Sequence, residues 1–158
     1  MKTPLKKFGV IIAVAITLVS FQDCKKSDSP TPSAVQSFTC DINGTAFTPT
    51  SINGLTATYS SSSITQVVRL VINSDEIGTY SLSRGVTPGY AECSVGPNPR
   101  TLTTYYTNIA PFIGTLTINS NNNGVISGTF SFATVSLDTA SVKGPVITNG
   151  SFANIKYN

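Results

Sequence analysis

The sequence contains no histidine and no tryptophan, and only 11% of its 158 residues are charged. Without histidine the commonest general base at neutral pH is missing, a Ser-His-Asp triad cannot be assembled, and the usual nitrogen ligand of zinc is gone. No Ser-x-x-Lys pattern supplies the lysine-assisted serine instead. Without tryptophan the most effective platform for stacking sugars or bases is absent as well. The few charges nearly cancel. From residue 24 onward seven Lys and Arg stand against six Asp and Glu, a difference of +1, which leaves no footprint for nucleic-acid phosphates. No metal, cofactor or nucleic acid is therefore expected.

Ser, Thr, Asn and Gly are abundant instead, a balance that suits turns and half-buried strands better than amphipathic helices. A chain of this length holds one ordinary domain. The expected fold is all-β, a single antiparallel β-sandwich or barrel-like domain.

The N-terminus reads as an export signal. Lys2, Lys6 and Lys7 form a basic start, and Phe8 to Phe21 is an apolar run of 14 residues, short for a membrane-spanning helix. Residues 1–23 are read as a lipoprotein signal peptide, because Phe21-Gln22-Asp23-Cys24-Lys25-Lys26 resembles the lipobox of bacterial lipoproteins, including the Cys-Lys-Lys starts of Bacteroidetes. That resemblance implies a lipid on Cys24 and attachment to the outer membrane of a bacterial cell envelope, on its periplasmic or surface face. An uncleaved anchor and an ordinary secretory signal are the alternatives. Residues 24–37, rich in Ser, Pro and Thr, have little to bury and read as a flexible tether.

Residues 38–158 are read as the all-β domain. Phe38, Cys40 and Ile42 alternate with Thr39 and Asp41, and Asn43-Gly44 follows as a favoured two-residue hairpin turn. Leu55, Ala57 and Tyr59 alternate next. Ile64 to Ile72 is apolar on both faces apart from Thr65, Gln66 and Arg69, which predicts a central strand. Shorter strands are expected at Thr79 to Leu82, Tyr90 to Val95 and Leu102 to Thr107. Phe112 to Ile118 and Val125 to Phe132 flank an expected loop from Asn119 to Gly124, with Leu116, Ile118, Phe130 and Phe132 facing inward. The last strand is expected at Ser151 to Tyr157.

One local pattern recurs three times, as Gly78-Thr79-Tyr80-Ser81-Leu82, Gly114-Thr115-Leu116-Thr117-Ile118 and Gly128-Thr129-Phe130-Ser131-Phe132. Its irregular spacing argues against a solenoid or propeller. The structural reading is a glycine that permits a bulge or bend, hydroxyls outward and apolar residues inward.

The opening Phe38-Thr39-Cys40-Asp41-Ile42-Asn43-Gly44-Thr45-Ala46-Phe47-Thr48-Pro49 resembles the start of a domain-of-unknown-function family of small all-β Bacteroidetes lipoproteins. Ile126-Ser127-Gly128-Thr129-Phe130-Ser131-Phe132 and Ile147-Thr148-Asn149-Gly150-Ser151-Phe152 are similar to its second half. The resemblance implies an envelope lipoprotein and brings no catalytic or ligand residue with it.

If Cys24 carries lipid, Cys40 and Cys93 remain, both on the apolar face of their strands in an exported chain. They are either a disulfide, contributing about 4 kcal/mol in the chain-entropy picture, or two buried thiols acting as small hydrophobes. Asp138-Thr139-Ala140 resembles the O-glycosylation acceptor of exported Bacteroidetes proteins, with Thr139 carrying the sugar. Tyr105 and Tyr106, with Arg100 and the turn Gly96 to Pro99, form a candidate aromatic ligand edge, against the plainer reading of one tyrosine in the core and one in solvent. The functional expectation is a membrane-anchored, non-enzymatic binding or structural module with an unknown protein or small-molecule partner. The alternative is a hydrolase acting on glycans through carboxylates alone, which requires two of Asp41, Asp75, Glu76, Glu92 and Asp138 to share one pocket.

Overall fold

A computed structural model describes residues 34–157 apart from 86, 88 and 139–141. Residues 1–23, Cys24 and Thr139 lie outside the described residues. The described chain holds eleven strands and no helix. They are β1 (Ser37–Ile42), β2 (Thr45–Phe47), β3 (Ser51–Asn53), β4 (Thr56–Ser60), β5 (Thr65–Ile72), β6 (Gly78–Leu82), β7 (Gly89–Gly96), β8 (Thr103–Tyr106), β9 (Gly114–Asn122), β10 (Val125–Ser136) and β11 (Lys143–Lys156).

Local chemistry sets the turns. Asn43 and Gly44 have φ of 51° and 78°, and Asn123 and Gly124 have 52° and 79°, the left-handed pair that a two-residue hairpin demands and that Asn-Gly adopts at least cost. The strands form one sheet in the order β2-β1-β11-β10-β9-β6-β7-β5-β4-β3, with β8 paired to both β7 and β10. That double pairing closes the ring β10-β9-β6-β7-β8. Tyr106 faces Glu92 of β7 on one side and Val135 of β10 on the other. Two wings extend from the ring, β11-β1-β2 from β10 and β5-β4-β3 from β7. The all-β expectation holds, and the sheet combines barrel closure with the two facing wings of a sandwich. The open edges fall on β2 and β3, three residues each, which keeps edge pairing short.

The wings enclose a single core. Phe38, Leu116, Ile118, Ile126, Phe130, Phe132, Ile147, Phe152 and Ile155 pack in one cluster with Ala57, Val68, Leu70, Ala91 and Cys93. The inward positions expected at Leu116, Ile118, Phe130 and Phe132 are all buried. Tyr157, part of the same cluster, donates its hydroxyl to the Ile72 carbonyl at 3.0 Å and so ties the end of β11 to β5.

Three expectations need correction. The segment Asn119 to Gly124 is mostly strand: β9 runs through Asn122, and only Asn123 and Gly124 turn. Asn121 holds this end, donating from Nδ2 to the Asp75 carbonyl and carboxylate at 2.8 Å and accepting the Gly124 N–H at 2.9 Å. The last strand begins at Lys143, not Ser151. Pro145 lies within this strand opposite the register shift between Ala133 and Val135, where a missing N–H is tolerated. Its carbonyl accepts from Thr134 Oγ1 at 2.7 Å. Finally, β5 lies inside the sheet but is not closed off on both faces, because Val67 and Val71 are half-buried and Arg69 is exposed.

Candidate functional site

The three repeats land on neighbouring strands. β6, β9 and β10 each carry one, and the register sets their hydroxyls side by side. Thr79 faces Thr117, Thr117 faces Thr129, Thr129 faces Ser151 of β11, and Ser151 faces Thr39 of β1. A second row runs Ser81, Thr115, Ser131, Thr148 and Asp41, with Ser131 opposite the bulge at Thr148 and Asn149. Side chains alternate across a strand, so with Tyr80, Leu116, Phe130 and Phe152 turned toward the core, these ten point outward. Thr39 and Ser151 hydroxyls are 3.0 Å apart, and those of Thr79 and Thr117 are 3.1 Å apart.

Between the rows lies a depression of about 540 Å³, lined by Thr115, Thr117, Thr129, Ser131, Thr148 and Ser151 with Phe130, Asn149 and Gly150 between them. Register shifts in β10 and β11 give the face this relief. The only charge in the two rows is Asp41, and Asn149 Nδ2 donates to its carboxylate at 2.7 Å. A smaller depression of about 230 Å³ continues past Thr115 and Ser131 to the apolar side chains Ile113, Ala133 and Val146.

The other outer face is different in chemistry. There Arg69 faces Glu92, which faces Tyr106, and Arg69 Nη1 lies 3.2 Å from Glu92 Oε1. The Arg84 guanidinium sits 4.9 Å over the Tyr106 ring, and Tyr90 lies 6.2 Å from that ring. The expected aromatic edge is thus realised by Tyr106 alone of its pair. Its cation comes from Arg84, whereas Arg100 is held in the Gly96 to Pro99 turn region by its N–H to Asn98 Oδ1 at 3.0 Å. Sequence reading missed Arg84 because its partner is 22 positions away and only strand pairing brings them together.

The carboxylates do not gather. Asp41 engages Asn149 on β11, Asp75 engages Asn121 on β9, and Glu92 engages Arg69 on β5. Glu76 and Asp138 are exposed. Among the described residues no three His, Cys, Asp or Glu side chains are grouped to hold a metal ion.

A family model for a domain of unknown function, DUF6252, matches residues 36–156. The chain belongs to that family. The match begins one residue before β1 and ends with the last residue of β11, so the DUF6252 domain coincides with the sheet and its core. No curated protein and no solved structure matches the chain.

Within the DUF6252 domain both cysteines are free, buried thiols. Burial pushes the Cys40 thiol up to about 12, with a further push from the Asp41 carboxylate beside it. Burial likewise pushes Cys93 up to about 12, and the neighbouring Cys40 adds to the effect. The thiolate is the reactive form, so neither group should react with an aromatic disulfide reagent at pH 8 in the native protein. In denaturant two thiols per domain are expected to titrate, in addition to any from residue 24. Rapid native labelling would contradict the burial, and zero thiols after unfolding would mean that the pair is bridged.

Proposed function

We propose that this protein is a lipid-anchored module of a bacterial cell envelope, held at the outer membrane by acyl chains on Cys24, which acts by binding rather than by catalysis. The sequence supports the anchor through its basic start, short apolar run and Cys-Lys-Lys junction. The observation that carries the binding role is the uncharged, hydroxyl-lined depression on the outer face of β9, β10 and β11. The separate engagement of Asp41, Asp75 and Glu92 supports a non-catalytic reading, since carboxylate chemistry on glycans needs two acids across one cleft.

Geometry is compatible with this placement. Asn154 Nδ2 donates to the Val35 carbonyl at 3.0 Å, next to the start of β1. From Cys24 to Val35 is eleven residues, an extended reach of at most about 40 Å. The domain would therefore stay within a few nanometres of the lipid surface.

Detergent partitioning with intact-mass analysis of the full chain, expressed in a bacterial envelope, tests the anchor. The wild type is expected to gain the mass of its acyl groups and to enter the detergent phase, since each buried methylene adds about 0.8 kcal/mol of membrane affinity. Cys24→Ala is expected to gain no acyl mass. A wild type that is unacylated and aqueous would remove the anchor and the location with it.

A further inference from the structure

The hydroxyl rows can be read for the chemistry of what they would hold. We propose that the depression binds a neutral polysaccharide chain, laid across β9, β10 and β11 roughly perpendicular to the strands. This rests on the reading that the uncharged face is the binding surface.

Charge is the first argument. One of ten row positions is an acidic residue, and Asn149 Nδ2 already donates to its carboxylate at 2.7 Å. An anionic polymer would find no counter-charge here, and a cationic one only the Asp41 carboxylate at the end of its row, outside the lining of the depression. The fold does carry charge elsewhere, as Arg69, Glu92 and Arg84 show on the other face, so the neutrality is local. An apolar partner would have to strip water from the row hydroxyls without replacing their hydrogen bonds, a cost of about 1 to 3 kcal/mol per group. A polyol does replace them, because each Ser or Thr hydroxyl both donates and accepts.

Spacing and shape are the second. Neighbouring strands lie about 4.8 Å apart, close to the advance of one pyranose unit along an extended glycan. Successive sugars would each meet the hydroxyls of one strand. Threonine also sets a methyl beside its hydroxyl, giving the C–H face of a sugar an apolar contact. The volume of about 540 Å³ suits a few sugar units. The bulges shape a trough, and the sheet's twist of about 20 to 25° per strand confines a straight chain to the three central strands.

Affinity gel electrophoresis decides the matter, using the full chain in a detergent without sugar headgroups. The probes are soluble mixed-linkage β-glucan, hydroxyethyl cellulose and dextran, with alginate as the anionic comparison. The wild type is expected to be retarded by at least one neutral polysaccharide and not by alginate. Thr115→Val/Thr117→Val/Thr129→Val removes three hydroxyls while keeping β-branched shape, and should weaken retardation by about tenfold or more. Thr58→Val, on β4 of the other face, should leave it unchanged. Thr129→Lys, a single change at an exposed position, should also abolish retardation and guards against misfolding of the triple variant.

Absence of retardation by all three neutral probes overturns the proposal, as does equal retardation of wild type and both row variants, or retardation by alginate alone. A wild-type dimer in sedimentation that Thr129→Lys dissociates would assign the face to a second copy instead. A wild type that enters detergent through Cys24 yet binds no polysaccharide sinks this inference and spares the anchor. Retardation without acylation does the reverse.

Discussion

Replacing Gly128 by alanine is expected to lower the unfolding free energy by about 3 kcal/mol or more, whereas the same change at Gly78 should leave it unchanged or raise it by up to about 1 kcal/mol. Both glycines open the same repeated segment, so the contrast isolates their surroundings. A Cβ at Gly128 would stand 2.1 Å from the Thr117 carbonyl oxygen and 2.8 Å from Phe152 Cζ. The first neighbour is backbone of the paired strand and cannot step aside. Gly128 also sits where the register shifts against both β9 and β11, so displacing it disturbs two ladders. At Gly78 the nearest atom to a Cβ is the Tyr80 hydroxyl at 3.4 Å, an ordinary contact. Gly114 should resemble Gly128, since its Cβ would meet Phe132 Cβ at 2.5 Å and the Ser131 carbonyl at 2.9 Å. Urea unfolding with a shared m-value reads the differences directly. Equal midpoints for Gly128→Ala and Gly78→Ala would show that close approach is not what glycine provides in these segments.

The three glycines show how much a repeated motif discloses. Alternation in Thr-x-Ser or Thr-x-Thr fixes which side chains face out, because the strand period is two whatever the neighbours are. It does not say that β6, β9 and β10 stand next to each other. β6 is separated from β9 by β7 and β8 in the chain, and its antiparallel pairing with β9 places the rows in line. The hydroxyl face was therefore legible residue by residue and illegible as a surface. The signal that could have found it was the coincidence of outward hydroxyls in all three copies, read together with the scarcity of charge.

The missed parts of β9 and β11 have different physical causes. Apolar alternation marks a strand only where one face meets the core. The end of β9 from Asn119 to Asn122 is exposed except for half-buried Asn121, so its outline is drawn by amide hydrogen bonds. The first half of β11 carries Gly144, where a Cβ would strike Thr134 Oγ1 at 2.4 Å and the Tyr105 side chain at 2.6 Å. Glycine and proline there serve close packing and a bulge, and the same letters in isolation spell a loop. By contrast β1 with its Asn-Gly turn, and the inward faces of β9 and β10, followed from alternation alone, because burial and turn chemistry pointed the same way.

Phe130→Ala is the core change expected to cost most, about 3 to 5 kcal/mol. Phe130 is the hub of the aromatic cluster: its ring lies 5.0 Å from Phe38 on β1, 6.1 Å from Phe132 on its own strand and 6.4 Å from Phe152 on β11. It also fills the space left by Gly150, whose Cβ would fall 2.5 Å from the Phe130 ring. Truncation removes the ring from contacts in three strands at once and opens a void over a glycine that has no side chain to fill it. Phe130→Leu keeps much of the volume and should cost less than half as much, about 1.5 kcal/mol. A double substitution with Gly150→Ala sharpens the reading. Gly150→Ala alone should be destabilising because its methyl meets both the ring and the Phe130 carbonyl oxygen, each at 2.5 Å, and in the Phe130→Ala background only the ring's share of that cost should vanish. Non-additivity of this sign, measured by chemical denaturation, is the signature of direct contact between the two positions. Strict additivity would mean that ring and glycine do not share the space that the packing assigns to them.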